Sequence, residues 1–183
     1  MPSIVVSGSL PCGLSDDAYH DVIEIAARKG SRVVLDTSGP ALRATLDKGV
    51  FLVKPSLGEL EGLAGQKLPS PDAQKKAARD LIVAGNAEIV AVTCGQDGAV
   101  VVTKDAAWRV VAPPISAQTA VGAGDSFVAA VTLALGQRWS LEDALAFGVT
   151  AGTAAVISSG AQLCRSGDVE RLYATLRQQA RSV

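Results

Sequence analysis

Val33-Val34-Leu35-Asp36-Thr37-Ser38-Gly39 is a short apolar run that stops at a carboxylate and opens into a polar turn. Unbroken apolarity, rather than alternation, is the pattern of a strand covered on both faces, as strands of parallel sheets are. The same design recurs on either side. Ile4-Val5-Val6 ends in Ser7-Gly8-Ser9, and Val50-Phe51-Leu52-Val53 ends in Lys54-Pro55-Ser56. Helical patterns separate these runs. Asp16 to Lys29 places Val22, Ile25 and Ala26 on one face, with Gly30 where a C′ glycine belongs, and a shorter helix is predicted around Pro40 to Lys48. Strands alternating with helices predict an α/β fold, a mostly parallel sheet with helices on both faces. Ligands of such sheets bind beyond the carboxyl ends of the strands, where all three polar turns fall.

Farther along, Leu57 to Ala64 reads as a helix. Ser70-Pro71-Asp72 supplies cap, N1 proline and first-turn acid for a helix through Ala84. Glu88 to Val92 and Ala99 to Thr103 read as strands around Gly95-Gln96-Asp97-Gly98, and Trp108 to Val111 as a third, which predicts an antiparallel edge. Helices are predicted from Gly124 to Leu135, from Leu141 to Ser158 with a Ser140/Asp143 capping box, and from Asp168 to Gln179. Neither repeat nor linker interrupts the pattern, so residues 1–183 read as a single domain.

With 48% hydrophobic and 19% charged residues and a formal net charge of −1, bulk attraction to nucleic acid or to a membrane surface is not expected. Apolar stretches such as Phe127 to Leu135 fall short of the roughly 20 residues that span a bilayer. The start, Met1-Pro2-Ser3, has no basic region ahead of its apolar run and does not read as a signal peptide. Cys12, Cys94 and Cys164 share no close spacing, so reduced thiols in a cytoplasm are expected rather than a disulfide framework or zinc site. His20 is the only histidine and is expected on a solvated helix face beside Asp17 and Asp21.

The chemistry concentrates in Val121-Gly122-Ala123-Gly124-Asp125-Ser126-Phe127, preceded by Thr119-Ala120. Gly122 and Gly124 are expected to allow positive φ and close approach of a ligand. The amides of a helix start, at the positive end of its dipole, form an anion site. Asp125 adds a carboxylate there, which together suit phosphoryl transfer to a hydroxyl. Taken alone, the same residues also describe a tight loop with an Asp N-cap. A dinucleotide fingerprint fails at Phe127, and a Walker loop fails for want of Gly-Lys-Ser/Thr.

Ser7-Gly8-Ser9-Leu10-Pro11, Lys54-Pro55-Ser56-Leu57-Gly58-Glu59-Leu60 and Val121-Gly122-Ala123-Gly124-Asp125-Ser126, in that order, resemble the ribokinase-like, PfkB-type carbohydrate kinases. Within that family the likeness is to the minor-type, ATP-dependent 6-phosphofructokinase branch. Asp36-Thr37-Ser38-Gly39, Pro113-Pro114, and Phe147-Gly148-Val149-Thr150-Ala151-Gly152 followed by Leu163-Cys164 support it. The resemblance implies a kinase that uses ATP and Mg2+ and acts on a phosphosugar, with fructose 6-phosphate as acceptor. Related acceptors, those of 1-phosphofructokinase and tagatose-6-phosphate kinase, are its alternatives. It implies that Asp125 is the base and touches the acceptor hydroxyl, and that Gly122, Ala123 and Gly124 hold the migrating phosphoryl group by their amides. Thr93, Gly95 and Gly98, with Lys54 and Ser56, fall to the nucleotide, Ser9 to the phosphosugar, and Glu59 to magnesium through water. A monovalent cation is a further candidate. Read singly, Glu59 is also an exposed helix carboxylate, Thr93 an ordinary strand residue, and Gly95 and Gly98 a plain turn.

Two departures accompany the resemblance. Where the family's Asn-x-x-Glu element has Asn, this chain has Ser56, so weaker metal positioning is expected. The family's first strands, the acidic residue and glycine motif that hold the acceptor, and its β-lid are expected to lie outside this stretch. The isolated chain is therefore expected to self-associate through a free sheet edge or to be marginally stable. A catalytically silent nucleotide-binding or assembly module is the alternative from a different class.

Overall fold

The computed structural model describes residues 1–115, 121–157 and 164–181. Thr119, Ala120 and Leu163, named above, lie outside the described residues, as does the expected helix end at Ser158. Six strands, β1 (Ser3–Ser7), β2 (Arg32–Asp36), β3 (Val50–Val53), β4 (Ala87–Thr93), β5 (Ala99–Val102) and β6 (Ala107–Val110), form one sheet in chain order. β1 to β4 are parallel, with Ser7 opposite Asp36, Leu35 opposite Val53 and Val53 opposite Val90. The links from β4 to β5 and from β5 to β6 are far shorter than the roughly dozen-residue crossover that a parallel pair requires, so these neighbours run antiparallel. Thr103 N–H donates to the Ala106 carbonyl (2.9 Å) and closes the second of these turns. The α/β class and the antiparallel edge are as read from the sequence.

Between the parallel strands run α1 (His20–Arg28), α2 (Gly39–Leu46), α3 (Leu57–Ala64) and α4 (Pro71–Val83). Right-handed crossovers that always advance in the same direction put successive helices on one face. Accordingly Val33, Leu35, Val90, Val92, Val100 and Val102 share a core with Ile23, Ala26, Leu42, Leu46, Leu60 and Ala78. The alternate positions Val34, Leu52, Ala91 and Val101 point the opposite way and are buried as well. Both faces of the sheet are covered, which is why its strands read as unbroken runs.

The chain divides into two compact units, Met1–Cys94 with Val100–Trp108, and Gly95–Ala99 with Arg109–Val183. The first holds the parallel strands and α1 to α4. In the second, α5 (Ala123–Gly136), α6 (Leu141–Ile157) and α7 (Ser166–Arg181) pack around Ala130, Ala151, Ala154 and Val169. Trp139, Phe147 and Tyr173 form a mutual aromatic trio with centroids 5.3, 5.9 and 5.5 Å apart, and an Arg177–Asp143 ion pair joins α7 to α6.

Three local expectations are corrected. α1 begins at His20 rather than Asp16, because Ala18 N–H bonds to Ser15 O (3.0 Å) and His20 N–H to Asp17 O (2.8 Å), turns that close over three residues instead of four. The Asp17 carboxylate accepts the Ser15 hydroxyl, which pins that turn and holds its pKa below the ordinary value. With that start the buried stripe is Ile23 and Ala26, and Ile25 is 43% exposed. His20 is half-buried rather than solvated. Its Nε2 lies 2.8 Å from the Ala44 carbonyl, an acceptor only, so that nitrogen carries the proton and ties α1 to α2. At α6, Ser140 Oγ accepts from Asp143 N–H (3.1 Å), but the Asp143 carboxylate takes the serine hydroxyl (2.8 Å), so the expected capping box is only half formed. Among the described residues the three cysteines are not joined in disulfides.

Candidate functional site

In the first unit the strand ends converge. Gly8, at φ +102°, donates its N–H to Asp36 O (2.9 Å), and its carbonyl accepts from Thr37 Oγ1 (2.7 Å) and the Tyr19 hydroxyl (3.2 Å). Ser9 is exposed on this turn. Lys54 extends the β2–β3 register, donating its N–H to Leu35 O (2.9 Å). Its Nζ lies 3.0 Å from Asp36 Oδ1, with side-chain exposures of 7% and 15%. Lys54 is thus one half of a sheltered ion pair, an arrangement the reading of Lys54 as a nucleotide contact did not include. Ser56 and Thr93 face each other in a parallel bridge, and Thr93 N–H donates to Pro55 O (3.0 Å). The ends of β1 to β4 therefore bring together Ser9, Lys54, Ser56 and Thr93.

Ser56 also starts α3. Its Oγ accepts the Glu59 N–H (3.3 Å) while Glu59 Oε2 accepts the Ser56 N–H (2.7 Å), a reciprocal capping box. Ser-x-x-Glu is the sequence signature of that box, a structural duty that accompanies any chemical role of the same residues. Glu59 is half-buried, not an exposed carboxylate. Together with Gly58, Gly39 and Arg43, both residues line a cavity of about 830 Å3. Among the described residues no three His, Cys, Asp or Glu side chains converge as a metal cage. One oriented carboxylate fits a small hydrated cation, since Mg2+ keeps several waters and takes one or two carboxylates.

In the second unit Gly122 is the N-cap of α5, with φ 79° and ψ −2°, a left-handed conformation that favours glycine. Ser126 N–H donates to Gly122 O (2.9 Å), the first turn's closing bond, so the Ala123 and Gly124 amides precede the helical ladder. Asp125 lies in the first turn and is exposed; the N-cap position itself is held by Gly122, not by Asp125. Positive φ is confined to Gly122 of this pair, since Gly124 is helical.

Gly95 and Gly98 bound a 3₁₀ turn, at φ +60° and +85°, closed by Gly98 N–H to Gly95 O (3.1 Å). A Cβ on Gly98 would overlap the Val110 carbonyl and reach Ala112 N at 2.7 Å, whereas one on Gly95 meets nothing within 4 Å. Gly98→Ala should therefore cost about 3 kcal/mol, and Gly95→Ala about 1 kcal/mol, in urea unfolding.

The residues that resemble a sugar kinase thus occupy the ends of the parallel strands and the start of α5, on an α/β scaffold. Residues 3–167 match the pfkB family carbohydrate kinase profile, and the chain belongs to that family. It is 42% identical over 174 residues to the ATP-dependent 6-phosphofructokinase isozyme 2 of Escherichia coli, covering 94% of this chain and 56% of that protein. To the 1-phosphofructokinase of Borreliella burgdorferi it is 35% identical over 176 residues, covering 96% of this chain and 56% of the relative. The crystal structure of Escherichia coli phosphofructokinase-2 in complex with potassium superimposes with a TM-score of 0.91 at 41% identity, over 96% of this chain and 57% of that one. The chain spans about half the length of the relatives it matches. No helix of the described residues is long and apolar enough to cross a membrane.

Proposed function

We propose that residues 1–183 are the nucleotide-binding and catalytic portion of a kinase that transfers the γ-phosphoryl group of ATP to a phosphorylated ketohexose, fructose 6-phosphate foremost. The observation that carries this reading is the start of α5, where Ala123 and Gly124 amides ahead of the helical ladder stand next to the exposed Asp125 carboxylate. Asp125 accepts the proton of the acceptor hydroxyl as its oxygen bonds to the γ-phosphorus. The bond from that phosphorus to the bridging oxygen breaks, and ADP leaves. Amides of Gly122, Ala123 and Gly124 stabilise the charge on the phosphoryl oxygens. Thr93, Ser56, Gly95 and Gly98 serve the nucleotide, Lys54 with them through its Asp36 pair, and Ser9 serves the phosphosugar. Magnesium, held through water by Glu59, neutralises phosphate charge when bound. A monovalent cation is a further candidate ligand, and a cytoplasmic location accords with cysteines that are not paired in disulfides.

Glu59 has two separable duties, and two variants separate them. Glu59→Gln keeps an N3 side chain able to complete the cap, so stability should hold while the magnesium requirement rises severalfold. Glu59→Ala should lose about 1 kcal/mol of stability as well. Equal magnesium titrations for wild type and E59Q would remove Glu59 from metal binding. Ser56→Asn, another good cap, should lower the magnesium requirement without changing stability; an unchanged titration counts against the metal role of position 56.

The half-length coverage motivates a competing reading, a nucleotide-binding module without turnover. Calorimetry with MgATP beside an acceptor panel of fructose 6-phosphate, fructose 1-phosphate and tagatose 6-phosphate separates the readings. β1 is the end strand of the described sheet, bonded only to β2, and its Val5 is 44% exposed. The isolated chain accordingly self-associates through that edge; a single monomeric species in sedimentation at all concentrations would exclude this.

A further inference from the structure

α5 and α6 cross at two glycines of α6, one turn apart, that face one ridge of α5. A Cβ on Gly148 would meet Val131 Cγ2 at 2.5 Å and the Phe127 ring at 3.0 Å. A Cβ on Gly152 would meet the Ala123 carbonyl oxygen at 3.1 Å and Phe127 Cβ at 3.8 Å. Ala123, Phe127 and Val131 are successive members of an i, i+4 ridge, and the two glycines form the matching groove. The two positions differ in what they touch. Gly148 faces side chains in the second and third turns of α5, which can repack. Gly152 faces the backbone of the first residue of α5, which cannot rotate away.

The Ala123 carbonyl and the Gly124 N–H belong to one rigid peptide plane. Whatever displaces that oxygen displaces the Gly124 donor with it, and Asp125 follows in the chain. We propose that Gly152 is a positioning residue for phosphoryl transfer: by lacking a side chain it seats the Ala123–Gly124 peptide, and so sets where the Gly124 amide and the Asp125 carboxylate are presented. This inference rests on the function proposed above. Gly148 supplies the close packing of the same crossing without touching the peptide that carries the amide.

The test compares Gly152→Ala with Gly148→Ala in the full natural polypeptide, by ADP release with MgATP and fructose 6-phosphate and by the backbone resonance of Gly124. At 3.1 Å the added methyl forces a shift of a few tenths of an ångström. G152A should shift the Gly124 resonance and lower kcat about tenfold, with KM for ATP within about twofold. G148A should lower the unfolding temperature and keep kcat per folded molecule within about twofold, and Val131→Ala added to it should restore stability. Should G152A not accumulate in folded form, F127L/G152A, which frees volume at the crossing and leaves the Ala123 carbonyl in place, is compared with F127L in the same way. A folded G152A variant with wild-type kcat, or with an unmoved Gly124 resonance, overturns the inference. Wild-type turnover in Asp125→Asn would instead overturn the reading of Asp125 as base, and the Gly124 resonance would still decide whether α6 seats the start of α5.

Discussion

Asp125→Asn is expected to slow phosphoryl transfer by about 10²- to 10⁴-fold, the range that a positioned general base contributes. Affinity for MgATP should stay close to wild type, because in this account the carboxylate faces the acceptor hydroxyl rather than the nucleotide. Stability should also change little. Asp125 is exposed, so the amide fills no cavity and meets no clash, and the charge lost from the first turn of α5 contributes about 0.3–1 kcal/mol beside whatever contact the carboxylate makes. Initial rates of ADP release, read beside MgATP calorimetry and a thermal melt, separate these quantities. A rate within tenfold of wild type would show that the proton goes elsewhere.

Lys54→Met carries the largest expected cost in stability, about 3–5 kcal/mol, because it removes the countercharge of a sheltered carboxylate. The Lys54 and Asp36 side chains are 7% and 15% exposed and 3.0 Å apart, so water can do little to replace the lost ammonium group. Replacing both members, as K54M/D36L, should recover most of the loss, since the pair's desolvation penalty disappears with it. Urea unfolding of both variants measures this directly. The result also defines what Lys54 does. A residue whose main duty is to grip phosphate would raise KM for ATP on substitution and leave the unfolding midpoint in place.

The parallel sheet was legible because its strands are buried on both faces and leave unbroken apolar runs at Val33–Leu35 and Val50–Val53. The polar turns after those runs were legible from their residue types, although Thr37 and Lys54 stay buried within them. The start of α1 was not. Ser15, Asp16 and Asp17 have the composition of a helix N-terminus, but the Ser15–Asp17 hydrogen bond holds them in a separate turn. The Lys54–Asp36 pair was hidden because its members come from different strands and meet only through the β2–β3 register.

At the candidate site, the identity of the residues could be read and their local duties could not. Ser56 and Glu59 were assigned to nucleotide and metal, and the structure adds that they cap α3 reciprocally. Gly122 and Gly124 looked equivalent, yet only Gly122 needs a left-handed backbone. Gly148 and Gly152 stand in the sequence only as members of a family-like stretch. Their role depends on where α5 crosses α6, a tertiary fact with no local signature.

Acceptor-dependent release of ADP from MgATP tests the central claim most directly, measured in the full natural polypeptide with fructose 6-phosphate and with ribose as the unphosphorylated comparison. Release should start on addition of fructose 6-phosphate, saturate with it, and be far slower with ribose. Saturable MgATP binding with no acceptor-stimulated ADP release from any of the phosphorylated ketohexoses would contradict it.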